Sequence, residues 1–209
     1  MRYAQIRSLD ISNGENVGVA LFVQGCHLHC KNCFNSETWD FNGGKEWNTE
    51  IKEKFLELIN RTYIKRVSIL GGEPLAEENL DDVLDLVTEI NKRYNNIQYI
   101  EQDNSKTYNI LNKNTDEISL LFRKKTIWLY SGYTWNQIMY PVVTDDLNPR
   151  RDELLRKRKE IVKQCDVMID GRYIDSQRDP ALKWRGSKNQ RVIDVKKTLQ
   201  ENKIILYCE

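Results

Sequence analysis

Three cysteines stand in a C-x3-C-x2-C triplet, Cys26-His27-Leu28-His29-Cys30-Lys31-Asn32-Cys33, directly after the apolar run Val19-Ala20-Leu21-Phe22-Val23. Three thiolates so spaced can hold three irons of a cubane cluster and leave the fourth iron without a protein ligand. An open iron can bind and reduce a small molecule, whereas a four-cysteine site mainly transfers electrons. The alternative donor set is tetrahedral zinc, with Cys26, Cys30, Cys33 and either His27 or His29. Cys165 and Cys208 stand alone beside apolar segments and read as buried small hydrophobes.

A second motif, Gly71-Gly72-Glu73-Pro74, follows the apolar run Arg66-Val67-Ser68-Ile69-Leu70. Paired glycines let backbone approach a ligand without interference from a Cβ atom, and Glu73 sets a carboxylate beside it. A zwitterionic aminoacyl group needs such partners. The competing reading is a tight strand-to-helix turn, with Glu73 favoured by the helix dipole. Ser131-Gly132-Tyr133 and Asp170-Gly171-Arg172 also follow directly on expected strands. Tyr130 and Trp135 offer rings that either stack on a cofactor or fill the core. No His–Asp pair or pair of carboxylates marks a general base.

These motifs require elements that bring them together. Strands are expected at 17–23, 66–70, 126–130, 166–170, 191–195 and 204–207. Helices are expected after the cap Asn48-Thr49, with Ile51, Phe55, Leu58 and Ile59 on one face, and over Leu80, Val83, Leu84, Val87 and Ile90. A third opens at Asn148-Pro149, with Pro at its first position and Leu154, Leu155, Arg158, Ile161 and Val162 on one face. Strand–helix alternation predicts an α/β fold with a mostly parallel sheet. The ends of such strands share one face, so the four motifs should converge on one pocket. An eight-fold barrel takes about 250 residues, so the 209 residues of this chain predict an open, partial (βα) barrel. Residues 95–125 are polar and receive no element. No repeat or linker divides the chain, and 1–209 reads as one domain.

With 32 basic and 31 acidic residues, the net charge of +1 supplies no field for nucleic acid or an anionic membrane. Apolar runs are too short to span a bilayer and the first residues lack a signal-peptide core, which predicts a cytoplasmic protein. Arg156-Lys157-Arg158-Lys159 reads as a solvated helix face, with docking of an acidic electron donor as the sharper alternative.

The chain resembles the activating proteins of anaerobic ribonucleoside-triphosphate reductase, within the radical S-adenosylmethionine enzymes. The resemblance rests on Phe22-Val23-Gln24-Gly25-Cys26, Cys33-Phe34-Asn35-Ser36-Glu37-Thr38-Trp39, Leu70-Gly71-Gly72-Glu73-Pro74-Leu75 and Trp128-Leu129-Tyr130-Ser131-Gly132-Tyr133. It continues through Asp166-Val167-Met168-Ile169-Asp170-Gly171-Arg172-Tyr173 and Trp184-Arg185-Gly186-Ser187-Lys188-Asn189-Gln190-Arg191, in family order, and Asn13-Gly14-Glu15-Asn16 resembles the family's opening loop. Two departures stand out. Asn32 occupies a position where many members of the superfamily carry an aromatic residue near the adenine, and residues 95–125 are longer than the family usually allows.

The resemblance implies one [4Fe–4S] cluster on Cys26, Cys30 and Cys33, whose open iron chelates S-adenosylmethionine. Asn32, Phe34, Gly71, Gly72, Glu73, Tyr130 and Ser131 are the implied cofactor contacts, and His27 and His29 are not ligands. One electron cleaves the cofactor to methionine and a 5′-deoxyadenosyl radical, which takes a hydrogen atom from a glycine Cα of the reductase. A flavodoxin- or ferredoxin-type protein is the implied electron donor. Activation of another glycyl-radical enzyme, such as pyruvate formate-lyase, is the alternative within enzymes, and a zinc-stabilised binding module the alternative outside them. Residues 171–190, with Arg172, Lys183, Trp184, Arg185, Lys188 and Arg191, are expected to help dock the reductase.

Overall fold

The computed structural model describes residues 1–95, 124–141 and 148–208. Residues 96–123, most of the polar stretch left without an element, lie outside the described residues. Among the described residues one sheet carries seven strands: β1 (Arg2–Asp10), β2 (Gly18–Val23), β3 (Lys45–Glu46), β4 (Arg66–Gly71), β5 (Thr126–Ser131), β6 (Val167–Asp170) and β7 (Arg191–Asp194). Their order is β3-β1-β2-β4-β5-β6-β7. The four central strands, β2, β4, β5 and β6, run parallel, while β1, β3 and β7 pair antiparallel at the edges. The sheet is mixed α/β with a parallel centre and is not closed.

The central strands read as unbroken apolar runs because both of their faces are covered; every residue of β2 is buried. One face packs on α1 (Thr49–Ile59), α2 (Leu80–Ile90) and α4 (Pro149–Gln164), with the short α3 (Trp135–Met139) beside them. Val19, Leu21, Val67, Ile69, Ile127, Leu129 and Met168 point to this side, against Phe55, Val83, Val87, Ile161 and Val162. The Asn48 side chain caps α1 by accepting from the Ile51 amide at 3.0 Å, and Asn148 caps α4 through Arg151. Trp135 lies in this core, which assigns its ring to packing rather than to a cofactor.

Among the described residues the other face carries no helix. Ala20, Phe22, Leu70, Trp128, Tyr130, Ile169 and Val192 point to it, and the described cover is loops and the segment following α5 (Val195–Glu201). One end is closed by Arg66, fully buried at the start of β4. Its guanidinium pairs with Asp10 at 2.9 Å and donates to the carbonyls of Asp10, Asn13 and Glu15. Gly14 belongs to this lid: its φ is +131°, and a Cβ there would lie 2.5 Å from Arg66. The Asn13-to-Asn16 loop thus serves as a cap on a buried cation.

Three expectations change. The nine-residue β1 went unseen, because its exposed edge carries polar residues in no clean alternation. The expected strand 204–207 contributes one isolated bridge, Ile193 to Leu206, because β7 ends the ladder after four residues. In α2 the buried position is Leu86 rather than Leu84, which is only partly covered.

Candidate functional site

The helix-free face is the floor of a cleft of about 520 Å³. The C-terminal ends of β2, β4, β5 and β6 open onto it, and each delivers one of the four motifs. Cys26, Cys30 and Cys33 line the cleft together with Gly71-Gly72-Glu73, Ser131-Gly132 and Gly171-Arg172. Of the expected cofactor contacts, Phe34, Gly71, Gly72, Glu73, Tyr130 and Ser131 all line it. Asn32 does not. Its φ is +55°, and its side chain turns outward to donate to Asp175 at 2.8 Å.

The cysteine loop is held from below by backbone. The Gly25 amide donates to Thr38 at 2.7 Å and Cys26 to Trp39 at 3.0 Å, so residues 38–39 return beneath the thiols. The Gly72 amide reaches Val23 at 2.9 Å and Glu73 reaches the Gly25 carbonyl at 2.7 Å. The glycine pair therefore answers a close approach of backbone to backbone. A Cβ on Gly72 would lie 2.3 Å from the Gly25 carbonyl oxygen, and Gly71 holds φ at +105°. The tight-turn reading of this motif thus accounts for both glycines.

Glu73 is buried and works as a clamp. Its Oε1 accepts from the Leu75 amide at 2.9 Å and from Ser131 Oγ at 2.8 Å, and its Oε2 from the Gly132 amide at 2.8 Å. Burial pushes its carboxyl up, against the pull of these donors. Four acceptor sites with three protein donors leave room for one more, an ammonium for instance.

The donor set fits an iron–sulfur cluster. All three cysteines are free thiols. Burial raises Cys26, offset by hydrogen bonds from the amides of Leu28 and His29; burial also raises Cys30, offset in part by the Tyr173 amide and the nearby Arg172 charge. Such thiols become thiolates when a bound cation displaces the proton. The zinc alternative loses its fourth ligand. His27 Nε2 meets Glu78 at 2.8 Å and its ring lies over Phe41, while His29 stacks on Trp39 at 4.6 Å. Among the described residues no group of three or more His, Cys, Asp or Glu side chains could hold one metal ion. A cubane instead spreads its thiolates over separate irons. Cys165 is buried with its thiol on the Ile161 carbonyl, and Cys208 packs beside Trp128 and Trp184.

Sequence reasoning missed several lining groups, among them Arg7, Trp39, Arg178 and Leu182. Arg7 gives no motif signal, being a polar residue on an edge strand, yet its guanidinium lies 4.5 Å from the Phe22 ring centroid. Tyr130 Oη, Trp39 Nε1 and Arg185 Nε are buried without a hydrogen-bond partner among the described residues. Of the expected docking residues, Arg191 is held by Asp170, and Trp184 packs edge-on against Trp128 at 4.9 Å and Tyr207 at 6.0 Å. The basic run on α4 is largely engaged: Arg156 pairs with Glu160, Lys157 with Asp81 and Glu153, and Arg158 donates to the Leu75 carbonyl. No described helix is long and apolar enough to cross a membrane.

A parallel-centred sheet with three free thiols at its strand ends defines a cluster-binding α/β protein, and the family described as "4Fe-4S single cluster domain" matches residues 12–122 and 103–193. The chain is 31% identical over 194 residues to the anaerobic ribonucleoside-triphosphate reductase-activating protein of Salmonella typhi, covering 92% of this chain and 97% of that one. Proteins of the same name from Vibrio cholerae (30%, covering 91% and 96%) and Enterobacteria phage T4 (28%, covering 92% and 93%) are similar over the same extent. The chain belongs to the family of anaerobic ribonucleoside-triphosphate reductase-activating proteins.

Proposed function

We propose that this chain, 1–209, is a single radical S-adenosylmethionine domain, an open partial barrel, that activates an anaerobic ribonucleoside-triphosphate reductase. The observation that carries the reading is the convergence of Cys26, Cys30 and Cys33 with the Gly71-to-Glu73 and Ser131-Gly132 turns on one cleft. When bound and reduced, a [4Fe–4S] cluster supplies one electron that splits S-adenosylmethionine into methionine and a 5′-deoxyadenosyl radical, which becomes 5′-deoxyadenosine by taking a hydrogen atom from a glycine Cα. The protein's own work is positioning.

Cys26, Cys30 and Cys33 hold the cluster. Glu73 Oε2 receives the cofactor's ammonium, and the Gly71-Gly72 turn sets the backbone against which the aminoacyl end lies. Tyr130 and Ser131 support the nucleoside from the floor, and Phe34 covers it from the rim. The electron comes from a flavodoxin- or ferredoxin-type donor in the cytoplasm.

The test is electron paramagnetic resonance of the reductase after anaerobic incubation with this protein, reductant and S-adenosylmethionine. A glycyl radical on the reductase, with 5′-deoxyadenosine formed alongside and about four irons per chain, is the expected result. A colourless, zinc-loaded protein that forms no 5′-deoxyadenosine would overturn the reading.

A further inference from the structure

Arg158 is a cation on the apolar face of α4, beside Leu154, Ile161 and Val162, which pack into the core. Its neighbours Arg156 and Lys157 pair with carboxylates, but no carboxylate pairs with Arg158 among the described residues. The half-buried guanidinium instead meets two turns. Its Nε donates to the Leu75 carbonyl at 2.9 Å, its Cζ lies 4.5 Å from the Tyr133 ring centroid, and its Nη2 lies 3.4 Å from the Tyr133 hydroxyl. Leu75 and Tyr133 belong to the turns that follow β4 and β5. Arg158, Leu75 and Tyr133 do not line the cleft, so the contact is made from the helix side of the sheet.

Both turns end on Glu73. The Leu75 amide donates to its Oε1 and the Gly132 amide to its Oε2. Ser131 Oγ also donates to Oε1, and it accepts from the Tyr133 amide at 3.0 Å. Through Leu75 on one side and Tyr133 on the other, Arg158 therefore governs the spacing of the donors that orient this carboxylate. Its charge works in the same direction. Burial raises the Glu73 carboxyl, and the Arg158 charge opposes that rise together with the three hydrogen bonds.

We propose that Arg158 is a positioning residue for S-adenosylmethionine: from α4 it clamps the 73–75 and 131–133 turns together and so aims Glu73 at the cofactor's ammonium. This rests on the function proposed above and adds a residue outside the cleft to it. A guanidinium suits the task, because its edge can donate to a carbonyl while its flat face lies on an aromatic ring. The ammonium of a lysine can keep the charge and the carbonyl bond, but it has no flat face for Tyr133.

The experiment uses the cluster-loaded protein without reductase. Arg158→Met keeps an apolar stem on α4 and removes the guanidinium, and Arg158→Lys is the conservative partner. Calorimetric affinity for S-adenosylmethionine should fall about ten-fold in Arg158→Met, and Arg158→Lys should recover part of the loss. Iron content and melting temperature should stay with the parent in both. Before any cofactor is added, hydrogen exchange at the Leu75 and Gly132 amides should be faster in Arg158→Met than in the parent. Parent-like affinity or unchanged exchange in Arg158→Met overturns the assignment. So does a loss of affinity that follows lost iron or a lowered melting temperature, or one that Arg158→Lys fails to relieve. A parent protein that binds no S-adenosylmethionine would instead sink the underlying function, while the exchange result would still report whether Arg158 holds the Glu73 clamp.

Discussion

Asn32 and Asp175, 143 residues apart in sequence, share a hydrogen bond of 2.8 Å that ties the cysteine loop to the wall of the cleft. Asp175 also accepts from the Tyr173 hydroxyl at 3.0 Å, and the Tyr173 amide points at Cys30. The hydrogen bond from Asn32, then that from Tyr173, holds the Asp175 carboxyl below its ordinary value. Asn32 thus has a structural task in this chain. It fixes where Cys30 and Cys33 sit relative to residues 173–175.

Breaking this tie should loosen the cluster. Asp175→Ala should keep the fold but release iron to a chelator several-fold faster than the parent, because the cysteine loop loses the Asn32 hydrogen bond to that wall. Absorbance decay at the cluster's visible bands measures it. Parent-like decay would show that the hydrogen bond is incidental to the cluster.

A side chain at Gly72 should damage more than cofactor affinity. Its Cβ would strike the Gly25 carbonyl, one residue before Cys26, so the whole cysteine loop must move. Gly72→Ala should cost about 1–3 kcal/mol, the range for overpacking, and should lower iron content together with S-adenosylmethionine binding. Full iron content with weakened binding alone, by metal analysis and calorimetry, would return the glycine to the ligand's side of the turn.

Single Cys26→Ala, Cys30→Ala and Cys33→Ala variants should each lose the cluster. No other thiol can stand in: Cys165 lies in the core under α4, and Cys208 among the rings of Trp128 and Trp184. Iron and sulfide content after reconstitution is the measurement. Parent-level content in any one variant would remove that cysteine from the ligand set.

The site was legible in the sequence wherever chemistry is local. Gly-Gly-Glu, the triplet and Ser131-Gly132 each follow a buried apolar run, and the parallel sheet brings such ends together. What could not be read were pairings between ordinary residues far apart in the chain. Nothing in Asn32 or Asp175 alone predicts their contact, and Arg7 on an edge strand resembles any solvated arginine. The same limit explains β1, whose partners rather than its own pattern make it a strand. Arg66 shows the converse: a charged residue opening an apolar run is buried because Asp10 and four loop carbonyls converge on it.

That pair sets an acid limit on stability. Burial pushes Asp10 up, but the Arg66 hydrogen bond and two from Asn13 outweigh it, leaving its carboxyl below the ordinary value of 3.8. A depressed carboxyl stabilises the fold above its unfolded pKa and loses that contribution as pH falls through the folded value. Stability should therefore hold above about pH 4 and decline beneath it. Asp10→Asn should flatten this acid limb and cost about 3–5 kcal/mol at neutral pH, since Arg66 is left as a buried unpaired charge. Urea titrations of both proteins across the acid range decide it; parallel limbs would exclude Asp10 as the titrating group.

The last expectation concerns Trp184, the most conspicuous residue of the 171–190 segment. It holds φ at +58°, and its ring packs against Trp128 and Tyr207 over the sheet's helix-free face. Tyr207 in turn hydrogen-bonds Glu15 in the opening loop, so the ring joins three separate parts of the chain. Trp184→Ala removes a partly buried indole from this stack and should cost up to about 3 kcal/mol, near the low end for aromatic truncation. Both S-adenosylmethionine cleavage and glycyl-radical yield should then fall in step with the melting temperature. If radical yield instead drops while stability and uncoupled cleavage stay with the parent, Trp184 touches the reductase and the 171–190 segment takes part in docking.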